Sequence, residues 1–291
     1  MILANSIPVR YLFTTAKREM LFVTIFTVVT IAIHTFVDFP EIPIALSALL
    51  GTAISLILSF RLAQAYDRWW EARMIWGSIV NDSRSLVLQL QSFSTSEQKE
   101  RVETMAKRHI VWVSAVATML RKQVLSDDMR KYVDVKSFTL VSEASHPPLT
   151  LMKMQMQDLE ALRLNTYEKI QVDNTIVRLI ASMGQAERIK NTVFPTEYQY
   201  YHHLSIYLFL GFISINLANL GHQWEIALII LIAAPFFLLE KAAEHLQDPF
   251  ENRPTDIPIT AISRTIEINI LTLIDEEDVP SPLQAEGYYL N

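Results

Sequence analysis

The chain has 291 residues, enough for one compact unit or two small ones. Its net charge of −6 offers no strongly basic face for nucleic acid, and the absence of cysteine excludes disulfides, thiolate metal sites and cysteine nucleophiles. An apolar fraction of 51% beside 19% charged residues suits a membrane protein with a large wet part, and only 6 glycines favour long uninterrupted helices.

Charge is sorted along the chain. Residues 19–60 and 191–240 contain no Lys or Arg, so all 25 basic residues lie in 1–18, 61–190 and 241–291. Basic blocks stay on the cytoplasmic side of a bilayer. The pattern therefore predicts an all-α membrane protein with both termini cytoplasmic.

In chain order, residues 1–19 form a cytosolic N-terminal segment ending in Lys17 and Arg18. Met20–Val37 follows, uncharged and of spanning length. It exceeds a signal-peptide core and no small-x-small cleavage site follows, so it reads as a retained span. Asp38, Pro40, Glu41 and Pro43 make a short outer turn, and Ile42–Phe60 is the second span. Residues 20–66 hold this pair. No proline interrupts Ile44–Leu90, so the second helix continues into the cytoplasm with Arg61, Asp67, Arg68, Glu71 and Arg73.

Residues 67–195 read as a cytosolic helical region. Ser94 with Glu97 has capping-box spacing. Val102, Met105, Ile110, Val113, Val116 and Leu120 then recur near a 3.6 period, with Lys99, Arg101, Lys107 and Arg108 on the other face. Pro147-Pro148 interrupts the chain, and a helical run covers Leu151–Ser182, its Met152 and Met156 serving as core filler. Pro195 ends the block. Residues 196–245 hold the third span, Tyr198–Trp224, and the fourth, Ile226–Leu239, which is kinkable at Pro235. Residues 246–291 form a cytosolic C-terminal segment with an amphipathic helix near Ile262–Ile274.

Catalytic signals are weak, so no enzyme is indicated. His202-His203 is the one adjacent His pair, and neighbours on a helix point about 100° apart, which suits packing or one buried hydrogen bond better than a shared metal. A membrane enzyme with a metal at this pair is a distant alternative. No phosphate-binding glycine loop, GxSxG or HExxH occurs.

Ser59-Phe60-Arg61-Leu62-Ala63-Gln64-Ala65-Tyr66-Asp67-Arg68-Trp69-Trp70-Glu71-Ala72-Arg73, followed by Trp76-Gly77, resembles the signature of bacterial bestrophin ion channels. Glu187-Arg188-Ile189 through Pro195, Asp248-Pro249-Phe250, and Thr265-Ile266-Glu267 through Leu271 are similar to further family segments, in the same order.

This resemblance implies a homopentamer around one axial pore, four transmembrane helices per chain continuing into a cytosolic helical bundle, and passive conduction of small monovalent ions across a bacterial inner membrane. It places the pore neck at Thr52, Leu56 and Phe60, a row at i, i+4 and i+8 on one helix face. Packing of Leu56 and Phe60 against the first span is the competing explanation. The cytosolic aperture falls at Tyr167, with Ile170 as fallback. Arg68, Trp69, Trp70 and Glu71 hold helix and subunit packing, and Arg68 and Glu71 are spaced to pair. Chloride conduction is the family default. Monovalent-cation conduction is the alternative, since five copies of an acidic chain attract cations. A membrane-anchored structural or sensor protein is the alternative of another class. Glu251-Asn252-Arg253-Pro254-Thr255-Asp256 lacks the dense Asp run of animal members, so no calcium clasp and no cofactor are expected.

Overall fold

The computed structural model describes residues 9–37, 42–192, 196–218, 221–285 and 289. Among them are nine α-helices: α1 (Val9–Phe36), α2 (Ile44–Phe93), α3 (Lys99–Leu120), α4 (Val135–Ser142), α5 (Pro147–Ala161), α6 (Thr166–Asn191), α7 (Thr196–Leu217), α8 (His222–Gln247) and α9 (Ile259–Leu273). The expected turn residues Asp38, Pro40 and Glu41 lie outside the described residues, as does Pro195.

The chain divides into two compact units. One comprises residues 69–192 and the described residues from 248 on, the other the described residues of 9–68 and 196–247. With 50 residues, α2 is far longer than the roughly 20 needed to span a bilayer, and it contributes to both units.

Three helices among the described residues are long and apolar enough to cross a membrane, within Thr14–Phe36, Ile44–Phe93 and His222–Gln247. The third predicted span, α7, is outside this set; Glu197, Gln199, His202, His203 and Asn216 dilute its apolar character. The core of this unit joins Val23, Ile54, Ile206, Phe209, Leu210, Ile229, Ala233 and Phe237. Gly51 admits the Phe209 ring, whose nearest carbon would lie 3.0 Å from an added Cβ. Pro235 stands inside α8, which continues to Gln247. The third predicted span, Tyr198–Trp224, is shorter than expected: α7 ends at Leu217, Gly221 takes φ +86°, which a glycine adopts without strain, and Trp224 belongs to α8.

In the other unit, Trp76, Leu86, Leu90, Met105, Trp112, Leu120, Leu151, Met152, Ile176 and Phe250 share one core. All six expected apolar positions of α3 are buried. Met152 is buried and Met156 packs at the core's edge.

Several local expectations need correction. The run Leu151–Ser182 is two helices, because Leu162 leaves α5 in extended conformation and Asn165 begins α6 with a capping box to Glu168. Pro147 and Pro148 begin α5 rather than interrupting the chain, since a first-turn proline has no helical N–H to lose. The box before α3 is Thr95 with Gln98, one residue later than Ser94 with Glu97, and it opens a 3-10 turn. Arg108 is part-buried rather than solvated. It bonds Gln155 at 3.1 Å and Asp158 at 2.5 Å, tying α3 to α5. The short α4 escaped sequence reading because two of its eight residues are buried, too few to show a period.

Glycine scarcity has a consequence at helix ends. After α3, Lys122 adopts φ +55°, with Lys122 N–H on Met119 C=O at 2.9 Å and Gln123 N–H on Thr118 C=O at 2.8 Å. After α9, Asp275 repeats the arrangement at φ +56°. Both are Schellman terminations built on a residue other than glycine.

Candidate functional site

In the unit that carries the membrane-length helices, α2 has two contrasting faces. Gly51, Ile54, Leu58, Arg61 and Ala65 are buried against their own chain. Thr52, Leu56 and Phe60 lie on another face and are exposed, Leu56 by 57% and Phe60 by 60%. Packing against α1 therefore does not account for them. The Thr52 hydroxyl donates to the Ala48 carbonyl at 2.8 Å, so its proton is spent on its own helix.

Directly after Phe60, Arg61 turns inward. Its guanidinium meets Glu240 of α8 at 3.2 Å, with both side chains withdrawn from solvent. Of the neighbouring histidines of α7, His203 hydrogen-bonds the same carboxylate through Nδ1 at 3.1 Å, and His202 Nδ1 stands 3.5 Å from its other oxygen without a hydrogen bond. Adjacent side chains diverge on a helix, so the pair makes one buried hydrogen bond and one close contact. Lys241 adds bridges to Glu19 of α1 at 3.0 Å and Glu244 at 2.8 Å. In the sequence Glu240 and Lys241 mark only the cytoplasmic continuation of the fourth span, and nothing there names Arg61 or Glu19 as their partners. Their signal was charge at the end of an apolar run, which also suits a helix simply leaving the membrane.

In the other unit, Tyr167 stands in the first turn of α6, 84% exposed, and Ile170 one turn later is 51% exposed. The Asn165 side chain fixes this helix start by accepting the N–H of Tyr167 at 2.9 Å and of Glu168 at 3.0 Å. Among the described residues no group of three His, Asp or Glu is arranged to hold a metal ion.

The Asp248–Asp256 segment is organised by cations and backbone. Lys190 reaches Asp248 at 2.7 Å and also bonds Glu251. Burial lowers the Lys190 pKa, but the hydrogen bonds its ammonium donates to Asp248 and Glu251 outweigh it, and the net direction is upward. Asn252 takes φ +68°. Asp256 is buried and accepts the Arg253 N–H at 3.0 Å; burial dominates that bond and raises its carboxyl to about 6.

A family model described as bacterial/fungal bestrophin protein matches residues 13–272. The chain belongs to the bacterial/fungal bestrophin family. Among curated relatives of this bestrophin, a voltage-dependent anion channel-forming protein of Salmonella typhi is 29% identical over 239 residues, 80% of this chain and 78% of that protein. Its Escherichia coli K12 counterpart, of the same description, is 28% identical over 246 residues, 83% and 80% of the two chains. A crystal structure of a bacterial bestrophin homologue from Klebsiella pneumoniae superposes with a TM-score of 0.81 at 24% identity, covering 89% of this chain and 98% of that one. At that identity the likeness concerns the fold.

The signature residues of this bestrophin have separate partners. Arg68 Nε donates to the Gln247 carbonyl at 3.0 Å, and Trp69 Nε1 donates to the Thr255 carbonyl at 3.2 Å. Glu71 takes a salt bridge from Arg188 of α6. Trp76 is fully buried, whereas Trp70 is 50% exposed.

Proposed function

We propose that this bestrophin is a passive anion channel assembled as a homopentamer in a bacterial inner membrane, with four spans per chain and both termini cytoplasmic. The observation that carries the reading is the bare row Thr52, Leu56 and Phe60. Leu56 and Phe60 are large and apolar, stand on a membrane-length helix and are left uncovered by their own chain. Five copies of the row facing a common axis make stacked rings that gate by expelling water. Tyr167, or Ile170 one turn on, supplies a second constriction in the cytosol. Arg68, Trp69, Trp70 and Glu71 serve packing rather than ion contact.

The description of relatives as anion channel-forming supports an anion rather than a cation as the permeant ion. The net charge of −6 per chain favours cations if it lines the vestibules. A reversal potential under a potassium chloride gradient across a planar bilayer separates the two. A shift toward the chloride equilibrium potential supports the proposal, and a shift toward potassium replaces the anion by a cation. Silence from purified protein leaves the membrane-anchored structural or sensor role. No calcium clasp is proposed. Lys190 already engages Asp248 and Glu251, so two of the segment's carboxylates have a cation, and calcium needs six to eight oxygens.

A further inference from the structure

Between α3, the 3-10 turn at Asp127–Tyr132 and α9 lies a hollow of about 220 Å³, lined by charged and apolar side chains, that the conduction reading does not use. It includes Arg264 and Glu267, which flank and complete the Thr265-Ile266-Glu267 stretch noted in the sequence. We infer that this hollow binds a small zwitterion of the α-amino-acid class, with its carboxylate at Arg121 and its ammonium at Asp128 and Glu267.

The lining charge supports the class. Arg121 and Arg264 face the same space as Asp128 and Glu267, two cations against two anions. A bare anion would meet two carboxylates there and a bare cation two guanidiniums, whereas a ligand carrying both charges satisfies both ends. The ends are built differently. Arg121 Nη1 donates to the Thr260 hydroxyl at 2.5 Å in the first turn of α9, where Pro258 provides no side-chain cap. Helix N-termini favour negative charge, so a ligand carboxylate is stabilised on that side. Burial pulls the Arg121 guanidinium below its ordinary range and Asp256 pulls it back up, as for a cation partly withdrawn from water.

At the other end, Glu267 is held by Tyr132 at 2.5 Å and by Arg264 at 3.2 Å, with the half-exposed Lys131 ammonium 3.9 Å away, so it is a fixed acceptor at which a ligand ammonium takes the place of Lys131. Asp128 is exposed, and its carboxylate has no ion-pair partner among the described residues. Ile110, Ala117 and Met129 supply an apolar floor for a short side chain. The volume falls below the roughly 300 Å³ of sites for drug-sized ligands and suits a small molecule. The Schellman turn at Lys122 fixes the end of α3 beside Arg121, so the cationic end is pre-formed.

Calorimetric titration of the purified full-length protein in detergent, with L-alanine and L-valine, tests the assignment without depending on conduction. Acetate and ethylammonium serve as half-ligand probes. Saturable binding of either amino acid, at least 10-fold tighter than both probes, is expected. Asp128→Asn and Arg121→Gln are each expected to weaken it at least 10-fold. Asp128 is exposed and supports no core contact, so its variant stays informative should Arg121→Gln fail to fold. Three outcomes overturn the inference: no saturable binding, acetate binding as tightly as the amino acids, or binding unchanged in Asp128→Asn.

Discussion

Arg61 and Glu240 form a 3.2 Å ion pair whose side chains are 0% and 4% exposed. The pair ties α2 to α8 one residue from Phe60, and His202 and His203 bring α7 to the same carboxylate. Deleting one member of a buried pair strands the other charge, at about 3–5 kcal/mol. Glu240→Gln is therefore expected to lower the melting temperature of the purified protein markedly. Adding Arg61→Met should recover part of the loss, because no unpaired cation then remains buried. A single variant that melts with the parent would show that the pair does not hold these helices together.

The neck reading makes its own demand on current. Leu56→Ala and Phe60→Ala widen and wet the proposed rings, so single-channel or macroscopic current in planar bilayers should rise. Thr52→Leu should lower it, though modestly, because the Thr52 hydroxyl already spends its proton on Ala48. Unchanged current in both alanine variants would remove these side chains from the pore.

Lys122 occupies a left-handed position at φ +55° that glycine adopts without penalty. Lys122→Gly is expected to stabilise the protein by up to about 1 kcal/mol. Asp275→Gly, at φ +56°, should behave alike. Thermal unfolding of the two variants at one pH and detergent concentration measures the gain, and a loss at both positions would refute the account of these turns.

His109 sets a pH dependence. Its ring is buried, stacks on Trp112 at 5.1 Å and meets the Ser83 oxygen through Nε2 at 2.9 Å. Ser83 donates its own proton to Ile79 C=O, so Nε2 carries the hydrogen of this contact. Burial lowers its pKa from 6.5 to about 3. Between those values the unfolded chain binds a proton that the folded chain refuses. Stability therefore falls as pH drops below 6.5, by about 2 kcal/mol at pH 5 from this residue alone. His109→Gln should flatten that slope in melting curves taken at pH 7.5 and pH 5. An identical slope in parent and variant would place the acid sensitivity elsewhere.

Much of the architecture was legible in local pattern. The charge-free runs marked α1, α2 and α8, because burying a charge in hydrocarbon is costly wherever it falls. The period in α3 marked its buried face, and the Phe60–Arg73 stretch pointed to the family. The row Thr52, Leu56 and Phe60 came from the resemblance, and helical spacing added only that the three share one face.

By itself the sequence determined which segments are apolar and helical, and the family they belong to. Tertiary structure decided which charges meet. Arg61 and Glu240 are 179 residues apart, and Arg108 and Asp158 are 50 apart. Such partners depend on how helices pack, and no local period records that. The same holds for the hollow at Arg121, Asp128 and Glu267, whose three residues come from separate elements. It holds too for the exposed row on α2, since periodicity defines a face but not whether another helix covers it.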